Sequence, residues 1–468
     1  MNPSSRITSV AWILAGISAL TAAAAVALDA TPGAVEGGPP VVEGPLAVVA
    51  PLPPQRVPAQ FPAPALPPAA SAQVLEAPAP QAQPVVLPGP EAEAALAAMD
   101  APDMAVPDRE KAPPIATLRG LAPDQDVLAR ARPDGNGHWV VEHAGATRTL
   151  TVDPWLQRSL EKMLRDNRTP YAAVVALEPA TGRVLAMAEH AQGQAGMRGL
   201  AVKAAYPAAS IFKIVTASAL VERGLGPDSE ECTHGAKRGV TLNHLKDSRK
   251  DRQCMTLGEA LAKSANGVFA KLTFKNLSAH ALKQVAERFH FNRPLEFPVP
   301  TDTSLAAFPA EPLELARTGA GFGDVYLSPL HGAALAAVVA NRGAWRAPVL
   351  FDDVAPHPAE RVISEAAAEA LAGMMAQTVT TGTARKTFRE RGHGVPGAVG
   401  KTGSLADRQP FRDYSWFVGY APRDNPRVAV AAVVVNGNLW HVRAPTVARE
   451  AMRLALQAHR PTHVASAR

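Results

Sequence analysis

From about residue 116 onward, apolar and polar positions follow two rhythms. "PWLQRSLEKML" sets Leu156, Leu160 and Leu164 four apart, the stripe of an amphipathic helix. "GHWVVEHAGATRTLTVD" ahead of it reads as short strands with a turn. In "YAAVVALEPATGRVLAMAEH" two apolar runs flank "PATG", which predicts strand, turn, strand. A polar region reaches to about residue 255, and several alanine-rich helical stretches follow. Late in the chain "AVGKTGSLAD", "SWFVGYAP" and "RVAVAAVVVNG" read as three more strands, and "TVAREAMRLALQAH" closes with a helix. A hairpin early, strands late and helices between describe an α/β domain whose terminal segments meet in one sheet.

Within this pattern "PAASIFKIVTASALVE" is a helix too apolar all round to lie on a surface. Pro207 fits the first turn of such a helix, where its missing N–H has no partner in any case. Ser210 and Lys213 then share one buried face. A lysine in that setting is paired, lines a cleft, or is neutral. On this stretch alone, a capping serine and a snorkelling lysine are the better account of the pattern, and the rest of the chain must decide.

Composition changes the picture at the N-terminus. After Arg6, about twenty residues pass without charge up to Asp29, long enough to cross a bilayer. "AVA" at 25–27 also resembles a signal-peptide cleavage site. Residues 1–30 are therefore expected to be a membrane anchor or signal segment. The expected topology is single-pass in an inner membrane with the main domain in the periplasm, the alternative being release to the periplasm after cleavage. Of the 44 prolines, 21 fall between residues 30 and 115, a composition that sustains neither helix nor sheet. Residues 31–115 read as a spacer, 116–150 as a short N-terminal appendage, and 151–457 as the main domain. The net charge of +5 is spread along the chain and no basic cluster calls for nucleic acid.

Three motifs occur in order: Ser210-Ile-Phe-Lys213, Ser264-Ala265-Asn266 and Lys401-Thr402-Gly403. Each is weak alone; together, with a helix behind the first and a strand around the last, they are specific. With "LGEALAKSANGVFAKL", "YLSPLHGAALAAVVANRGAWRAPVL" and "DYSWFVGYAPRDNPRVAVAAVVV", the chain resembles the transpeptidase domain of class B penicillin-binding proteins. The resemblance implies the penicillin-binding transpeptidase and serine β-lactamase-like fold, an antiparallel sheet with flanking helices plus an all-helical subregion. It implies D,D-transpeptidase activity on peptidoglycan stem peptides, covalent binding of β-lactams, and neither cofactor nor resident metal. Cell-wall synthesis proteins would be the partners.

Acyl transfer from a peptide amide needs a nucleophile, a base within reach and donors aimed at the oxyanion. By the resemblance Ser210 attacks, and Lys213 is the base, its pKa depressed by burial and by cationic Lys401. Ser264 relays a proton to the leaving amine, and Asn266 holds substrate and orients Lys213. Lys401, Thr402 and Ser404 receive the substrate carboxylate. Gly403 lets the strand approach the ligand, and the N–H groups of Ser210 and Ser404 form the oxyanion hole. The family more often has threonine at the position of Ser404. Only about 35 foldable residues precede Thr151, fewer than class B proteins generally carry. Alternatives with the same residues are a D,D-carboxypeptidase, a β-lactamase or penicillin sensor, and an idle scaffold.

The segment "ECTHGAKRGVTLNHLKDSRKDRQC" stands apart. A Cys232–Cys254 disulfide would staple it in an oxidising compartment. Cys232, His234, His244 and Cys254 could instead form an irregularly spaced zinc site. Its basic residues read as a solvated face, or as a contact for anionic peptidoglycan.

Overall fold

The computed structural model describes residues 120–458, apart from 195, 196, 237, 238 and 409. The anchor or signal segment 1–30 and the spacer 31–115 lie outside the described residues. The expected single-pass inner-membrane topology is corrected: among the described residues no helix is long and apolar enough to cross a membrane. Even the wholly apolar-faced helix Pro329–Ala340 has only 12 residues, all buried within protein. That is about 18 Å of helix against a hydrocarbon core of roughly 30 Å.

Five strands make the central sheet: β1 (Tyr171–Leu177), β2 (Val184–Ala191), β3 (Val399–Arg408), β4 (Phe411–Ala421) and β5 (Val428–Asn436). Their spatial order is β3-β4-β5-β1-β2, with every neighbouring pair antiparallel. The early hairpin and the three late strands thus meet at the β5–β1 pairing, as the periodicity predicts. Both faces are covered, and the sequence of β5 shows how. Ala429, Ala431, Val433 and Val435 point into one core, while Val428, Val430, Ala432 and Val434 point into the other. Because side chains alternate across a strand, an unbroken apolar run is what a doubly covered strand requires.

Among the described residues the helices of seven residues or more are α1 (Pro154–Asp166), α2 (Lys213–Glu222), α3 (Leu257–Lys263), α4 (Asn266–Asn276), α5 (Ala279–Arg288), α6 (Pro312–Gly319), α7 (Pro329–Ala340), α8 (Glu365–Thr380) and α9 (Ala444–Ala458). The terminal helices α1 and α9 pack on one face of the sheet and α7 on the other. The remaining helices pack on one another, α8 also against β3, and the antiparallel hairpin Glu230–Thr233/Gln253–Thr256 lies among them, so the expected all-helical subregion is in fact mixed. The α1 stripe behaves as its spacing predicts: Leu156, Leu160 and Leu164 are fully buried. Asp153 caps the helix by accepting from the Leu156 N–H at 2.8 Å, which satisfies one of its unpaired donors.

Residues ahead of Thr151 share this core. Val127 and Val141 belong to it, and the short strands Trp139–His143 and Ala146–Thr149 pair antiparallel. The Thr151 N–H donates to the Leu350 carbonyl at 2.9 Å.

One local reading is corrected. Pro207 does not open the helix; it ends a short strand, Tyr206–Pro207, that pairs with Tyr326–Leu327. The chain then makes a 3₁₀ turn, Ala209–Phe212, before α2 begins at Lys213. Proline fits a strand end as well as a helix start, and the sheet partner decides.

Candidate active site

Ser210 sits in that 3₁₀ turn, where positions i and i+3 eclipse rather than fan apart. Lys213 Nζ therefore stands 2.9 Å from Ser210 Oγ. Ala209, just before the serine, has φ +48, a left-handed conformation that an L-residue holds only when its surroundings impose it. Those surroundings are visible. Ala208 N–H donates to the Val325 carbonyl at 2.8 Å, and Trp416 Nε1 donates to the Pro207 carbonyl at 3.0 Å. Gly321 packs against the Ala209 carbonyl so closely that a Cβ there would lie 2.4 Å from its oxygen.

The second motif is the joint between α3 and α4. Ser264 caps α3 in the left-handed conformation, φ +56. Ala265 is extended, and Asn266 opens α4. This reversal turns Asn266 Oδ1 towards Lys213 Nζ at 2.9 Å. Lys213 also donates to the Ala320 carbonyl. The third motif lies on β3, an edge strand of the sheet. Lys401 is fully buried, and its Nζ donates to Ser264 Oγ at 3.0 Å and to the Thr402 carbonyl at 2.7 Å. Gly403 closes the gap: a Cβ there would come within 3.1 Å of Ile211 Cγ1 and 3.3 Å of the Ala208 carbonyl. Ser404 is exposed, on the edge strand directly after Gly403.

Three segments separated by tens to almost two hundred residues thus converge on two lysines. The hydrogen-bond partners of both lysines are neutral oxygens. Burial, and after it the charge of Lys401, hold the Lys213 ammonium well below the usual lysine range. Burial brings Lys401 down to about 7. The geometry around Lys213 suits a neutral amine. Asn266 Oδ1 and the Ala320 carbonyl can only accept, so they use two N–H bonds. The third direction points at Ser210 Oγ, where a lone pair can receive the serine proton.

Sequence reasoning missed four groups. The Ala320 carbonyl and Gly321 act through the backbone and carry no side-chain signal. Trp416 lay in a stretch read only as strand. Thr383 bonds Thr402 Oγ1 at 2.6 Å, and the "TTGTA" run after α8 was its only trace. The cysteines are settled: Cys232 and Cys254 face each other across an antiparallel hairpin and are disulfide-bonded. That excludes the zinc arrangement, because neither sulfur remains a thiolate. Of the remaining zinc candidates, His234 pairs with Asp251 at 2.5 Å and His244 Nδ1 accepts from the Thr241 N–H at 3.1 Å.

The family described as Penicillin binding protein transpeptidase domain matches residues 172–453. The peptidoglycan D,D-transpeptidase PbpA of Mycobacterium tuberculosis is 29% identical over 315 residues, covering 57% of this chain. The chain spans 62% of that relative's length. Among solved structures, the D,D-transpeptidase domain of a peptidoglycan glycosyltransferase from Eggerthella lenta is 26% identical, with a TM-score of 0.55 over 66% of this chain and 83% of that one. The imipenem acyl-enzyme of penicillin-binding protein A from M. tuberculosis is 25% identical, with a TM-score of 0.55 over 66% of this chain and 79% of that one.

Proposed function

The chain belongs to the penicillin-binding protein transpeptidase family, and on that premise we propose that it is a peptidoglycan D,D-transpeptidase acylated at Ser210. The observation that carries this reading is the position of Lys213 Nζ, 2.9 Å from both Ser210 Oγ and Asn266 Oδ1. In the proposed first step the Lys213 amine takes the Ser210 proton while Oγ bonds to the carbonyl carbon of the penultimate D-alanine. The N–H groups of Ser210 and Ser404 hold the resulting oxyanion. The C–N bond then breaks, and the leaving D-alanine amine takes a proton relayed through Ser264. An amine of a second stem peptide attacks the ester carbon, the C–Oγ bond breaks, and Ser210 recovers its proton by way of Lys213. Asn266 orients the base and holds the substrate backbone. Lys401, Thr402 and Ser404 bind the terminal carboxylate.

Lys401 favours this assignment electrostatically. Its neutral partners leave the pocket open to one anion, the C-terminal carboxylate of the substrate or the carboxylate of a penicillin. A β-lactam differs from the peptide in that its severed amine stays tethered and blocks the acceptor. Residues 151–457 are proposed as the catalytic unit, with 116–150 as an appendage, of which Val127 and Val141 share its core.

Intact mass of the protein after incubation with penicillin G tests the proposal. One added drug mass, lost in Ser210→Ala, is expected. A folded protein that neither gains mass nor consumes the drug would falsify the acyl-enzyme reading. Supplying a stem pentapeptide with and without an amine acceptor then separates the two outcomes of deacylation. A crosslinked product marks the transpeptidase; release of D-alanine alone marks the carboxypeptidase.

A further inference from the structure

Thr383 lies outside the three motifs, three residues beyond the end of α8. Its Oγ1 stands 2.6 Å from Thr402 Oγ1 and 3.3 Å from the Ala262 carbonyl. Its own N–H donates to that same carbonyl at 3.1 Å. Ala262 is two residues before Ser264, so the Thr383 turn is fastened to both the second and third motifs. The fastening is tight: a Cβ on neighbouring Gly382 would lie 2.3 Å from the Ala262 oxygen. Thr383 itself is exposed, so its place in the molecule comes from these bonds and not from packing.

We propose that Thr383 is a positioning residue for carboxylate recognition. Its hydroxyl donates to Thr402 Oγ1, which turns the Thr402 proton outward to the carboxylate bound beside Lys401. The inference rests on the transpeptidase reading of the site.

The reasoning is a proton count. Two hydroxyls 2.6 Å apart share one proton between them, and either can be the donor. When Thr402 donates to Thr383, it presents only lone pairs to an arriving anion, which is repulsive. When Thr383 donates, the Thr402 proton is free for the carboxylate, and each bond polarises the next. The competing acceptor for the Thr383 proton is the Ala262 carbonyl. That oxygen already receives the Thr383 N–H at the shorter distance, so it makes little demand. Thr402 is held from the other side as well, since Lys401 Nζ donates to its carbonyl at 2.7 Å. Backbone and hydroxyl of Thr402 are thereby both fixed, one by Lys401 and one by Thr383.

The role separates from general packing because it concerns only the substrate's charge. The test measures second-order acylation of Ser210 by a carboxylate-bearing penicillin and by its methyl ester, in wild type, Thr383→Val and Thr383→Ser. Valine keeps the shape and removes the hydroxyl; serine keeps the hydroxyl. The ratio of the two rate constants, acid over ester, is expected to fall about tenfold in Thr383→Val, the loss of one hydrogen bond to a charged group. Thr383→Ser is expected to restore it to within about twofold. An acid-to-ester ratio in Thr383→Val equal to wild type overturns the positioning role, whether both rates hold or both fall together. A ratio that stays low in Thr383→Ser overturns it too, since the hydroxyl is then not what matters. These results leave the acyl-enzyme reading intact. Wild-type protein that is not labelled at Ser210 by the penicillin removes that reading and this inference with it.

Discussion

The strained link ahead of the proposed nucleophile, Ser210, offers a sharp test through a residue that bears no chemistry. Gly321 has φ +86, and a Cβ built on it lies 2.4 Å from the Ala209 oxygen, 2.7 Å from its carbonyl carbon and 3.1 Å from Ser210 Cα. An ordinary carbon–oxygen contact is about 3.4 Å, so in Gly321→Ala the two segments must separate by about 1 Å. Either segment that moves harms the site, for one carries Ser210 and the other carries the Ala320 carbonyl bonded to Lys213. A displacement of about 1 Å in reacting groups costs on the order of a hundredfold in rate. The left-handed backbone adds roughly 1–2 kcal/mol of instability for an L-residue. A matched control exists far along the chain. Gly182, in the β1–β2 turn, has φ +77 and would place its Cβ 2.4 Å from the Ala347 oxygen. Gly182→Ala should therefore lose similar stability while acylating at close to the wild-type rate. The assay is timed intact mass with penicillin G for both variants, beside thermal unfolding. Equal acylation rates in the two variants at equal stability, or a wild-type rate in Gly321→Ala, refute the claim that Gly321 sets the nucleophile.

Two further outcomes follow from the charged groups. Lys401, brought down to about 7 by burial, is cationic below that pH and neutral above it. Second-order acylation by an anionic penicillin should decline between pH 7 and 9, while the decline should be absent with the methyl ester; a flat acid profile contradicts this. Elsewhere, Lys271 is fully buried and bonds Asp251 at 2.7 Å and the Cys232 carbonyl at 2.9 Å, with Glu231 at 3.4 Å. Lys271→Met removes one cationic partner from Asp251, which keeps His234 and the Ser248 N–H, and from Glu231, which keeps Lys275, so it should cost about 1–3 kcal/mol at neutral pH in urea unfolding. Burial pushes the Asp251 carboxyl up, but hydrogen bonds from His234, Lys271 and the Ser248 N–H outweigh it and hold the carboxyl well below its usual range. Its stabilising contribution is therefore full above the unfolded carboxyl pKa of about 4 and fades as the pH falls. The cost of Lys271→Met should shrink below about pH 4; a constant cost would show that charge is not the cause.

The features legible in the sequence are those encoded locally. Alternation identified the strands, the α1 stripe needed only three leucines, and the three motifs named Ser210, Lys213, Ser264, Asn266 and Lys401 because side-chain chemistry is written in residue type. Pro207 misled because a proline is equally at home at a strand end and in a first helical turn. Only the distant strand at Tyr326–Leu327 distinguishes them. Cysteine spacing left disulfide and zinc both open, and cross-strand register closed the choice. Ala320, Gly321 and Thr383 were hidden for a common reason. Each contributes a carbonyl, an absent Cβ or a single hydroxyl whose meaning depends on a neighbour from 19 to more than a hundred residues away.

That dependence also bears on how the molecule comes to exist. The central pairing of the sheet joins β1, at residues 171–177, to β5, at 428–436. Closing a loop of that length must precede the contacts that reward it, which makes such topologies slow to form. On a ribosome, β1 emerges and waits without its neighbour until β5 has been made. The apolar edge of β1 stays unsatisfied through most of synthesis, an interval in which a chaperone has a substrate and aggregation has a template. Reactivity towards a penicillin would appear only after the last strand docks, so drug labelling of nascent and released chains would time the completion of the fold.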